Sequence, residues 1–116
     1  MIAVEVEGLE LFGHHGADEA ERERGQTFLF DVRIEVSDVA RSDRLADTID
    51  YVAVVELVKE VSNAKWYHLL EALSSDVADS VVQRFSVERV RVRVRKPHAR
   101  PAGLPVEWTA ATVERP

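Results

Sequence analysis

Lys96 stands where its strand calls for an apolar side chain. It continues the parity of Val90, Val92 and Val94 and immediately precedes Pro97, so alternation aims it toward the apolar side. A lysine held near apolar surroundings has its pKa pushed down, which suits proton transfer. The position equally allows the stem to lie on apolar surface while the charge escapes to water at the strand end. Glu71 breaks its pattern differently. At about 100° per residue it falls in the arc of Ala78, Val82 and Phe85, beside a Leu70, Leu73 and Val77 stripe. It also lies in the first turn of its helix, where free backbone N–H groups favour an anion. Such a carboxylate can grip a flat ring carrying adjacent N–H donors, or it can merely complement the helix dipole.

Three other places offer chemistry with a plainer alternative. Glu21 sits among Asp18, Glu19 and Glu23, a run that also reads as solvated surface. Tyr51 opens a helix with its ring expected on the buried side, where a phenol needs a hydrogen-bond partner. His14 and His15 are adjacent, a spacing that aims two rings at one metal poorly, and the chain has no cysteine to help. Arg89, Arg91, Arg93 and Arg95 form a basic row on one side of a strand. Asp31 and Glu35 on another strand, with Glu5 and Glu7 on the first, explain that row by cross-strand pairing.

The elements that must position these residues follow from periodicity. Residues 2–12 predict a strand in which Ile2, Val4 and Val6 share one parity and Leu9 and Leu11 the other, with Gly8 as a bulge between them. Residues 13–25 form a polar, glycine-bounded connection with a short helical turn at Asp18–Arg22. Residues 26–37 alternate strictly, with Phe28, Phe30, Val32, Ile34 and Val36 on one side. Asp47, Thr48 or Asp50 can cap a helix over Tyr51–Ser62, whose apolar side is Tyr51, Val54, Val55, Val58 and Val61. A second helix runs over His68–Phe85, residues 88–96 form a strand, and residues 106–114 a last strand after a proline-rich loop. The order ββααββ predicts an α+β fold, an antiparallel sheet with two helices on one face.

Composition narrows the function. A chain of 116 residues, 46% hydrophobic, suits one domain, residues 1–116. A net charge of -6 and 7% aromatics argue against nucleic acid and against an anionic membrane surface. The absence of cysteine excludes disulfides and thiol chemistry. No signal peptide or spanning segment stands out, so a cytoplasmic protein is expected.

Several motifs in a fixed order resemble one family. FGHHGADEAERERGQTFLFDV (residues 12–32) is similar to the G-x-H-G turn, glutamate and G-Q strand of dihydroneopterin aldolases. SDRLADTIDYVAV (42–54) resembles that family's S-D-x-L-x-D-T-x-x-Y stretch, HLLEALSSDVADSV (68–81) its L-[IL]-E helix start, and VRVRKP (92–97) its strand ending in Lys-Pro. The resemblance implies a tunnelling fold in which subunit sheets join into an oligomeric barrel, as a tetramer ring or an octamer. It implies a pterin substrate held by Glu71, with backbone at Leu70 and Ala72, and with Ala17 and Asp50 nearby. Lys96, Tyr51 and Glu21 would form the catalytic cluster, with Tyr51 reaching in from a neighbouring subunit. The implied reaction is retro-aldol cleavage of 7,8-dihydroneopterin in folate biosynthesis, with no cofactor: neither metal nor lysine Schiff base. Residues 99–116 match more loosely; Arg100, Ala102 and Trp108 depart from the family's usual residues. Two other functions remain open: epimerisation of dihydroneopterin or its triphosphate at the 2′ carbon, and a non-catalytic pterin-binding oligomer.

Overall fold

The computed structural model describes all residues, 1–116. Its elements are β1 (Ile2–Gly13), α1 (Glu19–Arg24), β2 (Gln26–Val36), α2 (Tyr51–Ala64), α3 (Leu70–Arg84), β3 (Arg89–Lys96) and β4 (Thr109–Arg115). The strands form one antiparallel sheet in the order β1-β2-β3-β4. Helices α2 and α3 cover one face, as the ββααββ order predicts. Phe28, Phe30, Val32 and Ile34 of β2 and the three valines of β3 meet Val54, Leu57 and Val58 of α2 and Leu73, Val77 and Val81 of α3 there. No helix is long and apolar enough to cross a membrane.

Gly8 is the bulge. The β1–β2 register shifts between Val6 and Leu9, so that Val6 opposes Val32 and Leu9 opposes Phe30, both on the helix side. Gly8 takes a φ of +71°, and its N–H donates to Asp31 Oδ1 at 2.8 Å. Asp31 also binds Arg93 at 2.9 Å and Arg95 at 2.8 Å, and the Trp108 ring stacks over the Arg93 guanidinium at 4.9 Å. Burial acts to raise the Asp31 carboxyl pKa, but hydrogen bonds from Arg95, the Gly8 N–H and Arg93 outweigh it and hold it low. The arginine row therefore pairs across strands, although Arg89 and Arg91 reach Glu114 of β4 rather than Glu35. Glu35 instead takes Arg33, its neighbour on β2.

Three expectations change. The last strand begins at Thr109, not at residue 106, because Pro105 cannot donate to a ladder and Trp108 is spent covering the arginines. Helix α3 begins at Leu70 rather than His68, which leaves His68 in a bend and Leu69 extended before it. Tyr51 is 61% exposed: Leu57 completes the buried side of α2 with Val54 and Val58, and Tyr51 lies outside it.

Candidate active site

Lys96 ends β3, and its Nζ donates to Glu21 Oε2 at 2.8 Å. The Gln26 side-chain amide donates to the same oxygen at 3.0 Å. Glu21 arrives on α1, a helix of six residues that Asp18 caps by accepting the Ala20 N–H. The Arg22 guanidinium ties that helix back to the Gly16 carbonyl at 2.8 Å. A Cβ on Gly16 would overlap the Glu21 carboxylate, so the approach of Glu21 to the turn requires glycine there. Burial acts to raise the Glu21 pKa, but hydrogen bonds from Lys96 and Gln26, with the charges of Lys96 and Arg24, prevail and hold it below its ordinary value. The pair lies mostly out of water, with side chains 16% and 21% exposed.

Beside it lies a cavity of about 220 Å³. Gly16 and Ala17, the segment His68–Glu71, and Lys96, Thr109 and Ala110 line it. Glu71 stands in the first turn of α3, which no side chain caps, so backbone N–H groups there remain free beside the carboxylate. A carboxylate and free N–H donors in one cavity with an ion-paired lysine can bind a flat polar ring and move a proton at its edge.

The structure thus brings together Lys96, Glu21, Glu71, Leu70 and Ala17, with Ala72 next along the helix. It does not bring Tyr51 or Asp50 into this cavity. Asp50 caps α2 by accepting the Val52 N–H at 2.9 Å, and Tyr51 projects from the next position. Sequence reasoning did not single out Gln26, Gly16, His68, Thr109 or Ala110. Gln26 carried a signal, the G-Q pair beside Glu21. Thr109 and Ala110 enter only through the β3–β4 register, in which Thr109 opposes Lys96 and Ala110 opposes Arg95.

The two histidines part ways. His14 lies against the surface, stacked on Trp66 at 4.6 Å, with Nδ1 2.7 Å from the Arg22 carbonyl. His15 is buried, and burial followed by the His14 charge lowers its pKa from 6.5 to about 4. A second concavity, about 170 Å³ on the opposite sheet face, is lined by Glu5, Glu7, Asp31, Arg33, Arg91 and Arg93. Each of its arginines already has a carboxylate partner.

The family model described as dihydroneopterin aldolase matches residues 4–114. A Streptomyces coelicolor dihydroneopterin aldolase is 37% identical over 99% of this chain and 98% of its own length. Dihydroneopterin aldolase 1 of Arabidopsis thaliana is 38% identical over 80% of this chain and 66% of its own. The atomic-resolution structure of the E. coli dihydroneopterin aldolase, solved with neopterin, superposes with a TM-score of 0.90, at 25% identity, over the full length of both chains. The chain belongs to the dihydroneopterin aldolase family.

Proposed function

We propose that the protein is the dihydroneopterin aldolase of folate biosynthesis, acting in the cytoplasm on 7,8-dihydroneopterin. The Lys96–Glu21 pair beside the Glu71-walled cavity carries this reading. Glu71 accepts hydrogen bonds from the pterin amino group and ring N–H, and a free backbone N–H of its helix donates to the pterin carbonyl oxygen. The side chain of the substrate then lies over Lys96. A water held by Lys96 and Tyr51 takes the proton of the 2′-hydroxyl. The bond between the 1′ and 2′ carbons breaks, glycolaldehyde leaves, and the electron pair moves into the substrate's own C=N group. The same cluster returns a proton to the resulting enamine carbon, giving 6-hydroxymethyl-7,8-dihydropterin. Because the substrate supplies the electron sink, the reaction runs without a metal and without a Schiff base. Lys96 is already committed to Glu21 as a hydrogen-bond donor, which suits proton transfer better than attack on a carbonyl.

The site is completed by a neighbouring subunit of a ring, tetrameric or stacked into an octamer. Four observations support this. The cavity, at about 220 Å³, is smaller than the roughly 300–1,000 Å³ of small-molecule pockets. Tyr51 is exposed and does not line the cavity that Lys96 lines. Both sheet edges, β1 and β4, are free to pair. The radius of gyration, 15.1 Å, exceeds the roughly 13 Å of a compact globule of this length.

Incubation of chelator-treated protein with 7,8-dihydroneopterin should give 6-hydroxymethyl-7,8-dihydropterin and glycolaldehyde, with no lysine adduct trapped by borohydride. Accumulation of the 2′ epimer instead would move the activity to epimerase. Bound but unchanged substrate would point to the non-catalytic oligomer.

A further inference from the structure

His15 is 1% exposed and touches none of the groups assigned to chemistry, yet both of its ring nitrogens are used. The Tyr67 N–H donates to Nδ1 at 3.0 Å. Nδ1 therefore carries no proton, and Nε2–H donates to Ser62 Oγ of α2 at 3.0 Å. In return, the Gly16 N–H donates to the Tyr67 carbonyl at 2.9 Å. Tyr67 is thus held by its amide and by its carbonyl, to His15 and Gly16 respectively. The imidazole takes the place that a backbone carbonyl would have in a strand pair. Tyr67 is fixed further by its hydroxyl, which donates to Asp76 Oδ2 of α3 at 2.6 Å.

The residues that follow this clasp on each side are the cavity walls: Gly16–Ala17 and His68–Glu71. We propose that His15 is a positioning residue of the site, its imidazole holding these two walls at the separation a pterin ring needs. The proposal rests on the assignment of that cavity to the pterin. Phenylalanine would fill the same volume but leave the Tyr67 N–H buried without an acceptor, and the segment leading to Glu71 free to drift. The Lys96–Glu21–Gln26 cluster keeps its own hydrogen bonds and meets the clasp only through the Arg22 bond to the Gly16 carbonyl. Loss of the clasp should therefore weaken binding and leave the chemical step nearly intact.

The test uses the full-length protein, steady-state turnover of 7,8-dihydroneopterin, and direct titration with neopterin. His15→Gln places its amide N–H where Nε2 stood, for Ser62, and leaves no acceptor where Nδ1 met the Tyr67 N–H. KM and the neopterin Kd should rise about tenfold or more, with kcat within about threefold. His15→Asn places an oxygen where Nδ1 stood and should restore both to within about threefold of wild type. Ser62→Ala removes the other bond; it should lower the Tm as His15→Gln does, without moving KM. An unchanged KM in His15→Gln overturns the proposal. So does a KM that simply follows Tm across the three variants. If His15→Gln does not fold, amide exchange of the wild type decides. Neopterin should slow exchange at 14–17 and at 66–71 together, and slowing at 68–71 alone would overturn the clasp. A wild type that binds neopterin but does not turn over dihydroneopterin sinks the aldolase reading alone, and the Kd series still decides on His15. A wild type that does neither overturns both.

Discussion

Acid should loosen this protein well before its carboxylates are protonated, and His15 should be the cause. The buried ring is neutral, with Nδ1 accepting and Nε2 donating, and its pKa is lowered from 6.5 to about 4. An unfolded chain takes up a proton below about 6.5, whereas the folded one does so only near 4. Stability from this group is therefore complete above about pH 6.5 and drains away as pH falls through the folded pKa. At about 1.4 kcal/mol per pH unit, the gap from 6.5 to about 4 amounts to about 3 kcal/mol in the acid limit, of which about 2 falls between pH 7 and 4.5. Glu21 and Asp31 have the same sign, since both carboxyls are held low. Their contributions are full above their ordinary values of 4.5 and 3.8 and are lost only below them, which leaves the window above to His15. Urea unfolding followed by far-ultraviolet circular dichroism, at one fixed protein concentration, measures the effect. Wild type should lose about 2 kcal/mol more than His15→Asn between pH 7 and 4.5. Parallel losses in the two proteins would refute the assignment of a neutral, clasped ring.

Further outcomes test the site itself. Lys96→Ala should lower kcat by about a hundredfold or more while neopterin titration shows nearly unchanged affinity. Near-normal turnover would remove Lys96 from the chemistry. Tyr51→Phe and Lys96→Ala, each nearly inactive alone, should regain activity when unfolded together in equal amounts and reassembled. About a quarter of the sites then combine intact Lys96 with an intact Tyr51 from the neighbour, and a mixture as dead as its parts would place both residues in one chain's site. Gly16→Ala should push the Glu21 carboxylate off Lys96 and lower kcat about tenfold, with little loss of stability because the flexible Glu21 side chain can give way. The quantity to read is turnover at a temperature where the variant is folded.

Alternation and helical spacing were enough to locate the sheet, both long helices and the side of each that is buried. They also exposed Lys96, whose parity is correct even though a proline follows it, because a strand's side-chain period does not depend on what comes next. Periodicity misplaced Tyr51. A single stripe assigns the same environment to every residue on it, and only the packed structure shows that Tyr51 is exposed while Val54, three residues on, is buried. Glu21 was ambiguous for a related reason. Its neighbours Glu19 and Glu23 share its composition, and only the geometry of α1 separates the carboxylate that meets Lys96 from those that meet water. The adjacent histidines hid the clasp altogether. Their partners, Ser62 and the Tyr67 amide, lie 47 and 52 residues away, and no local pattern reports on a contact so distant.

The Gly8 bulge carries a consequence for lesions that change the length of the chain rather than its letters. A replacement at Gly8 leaves the count of residues intact, and strain at a φ of +71° is its main penalty. Deletion of that residue removes the half-step that lets Val6 and Leu9 share a face. One half of β1 must then turn over, sending Leu9 and Leu11 toward the arginines or Ile2 and Val4 away from the helices. The same strand runs directly into Gly13, His14 and His15, so a slip of one residue there also carries the clasp and the cavity wall out of phase. Losing a single codon in β1 should thus be far more damaging than rewriting it, whereas the loop around residues 99–104, outside every strand and long helix, has room to gain or lose residues.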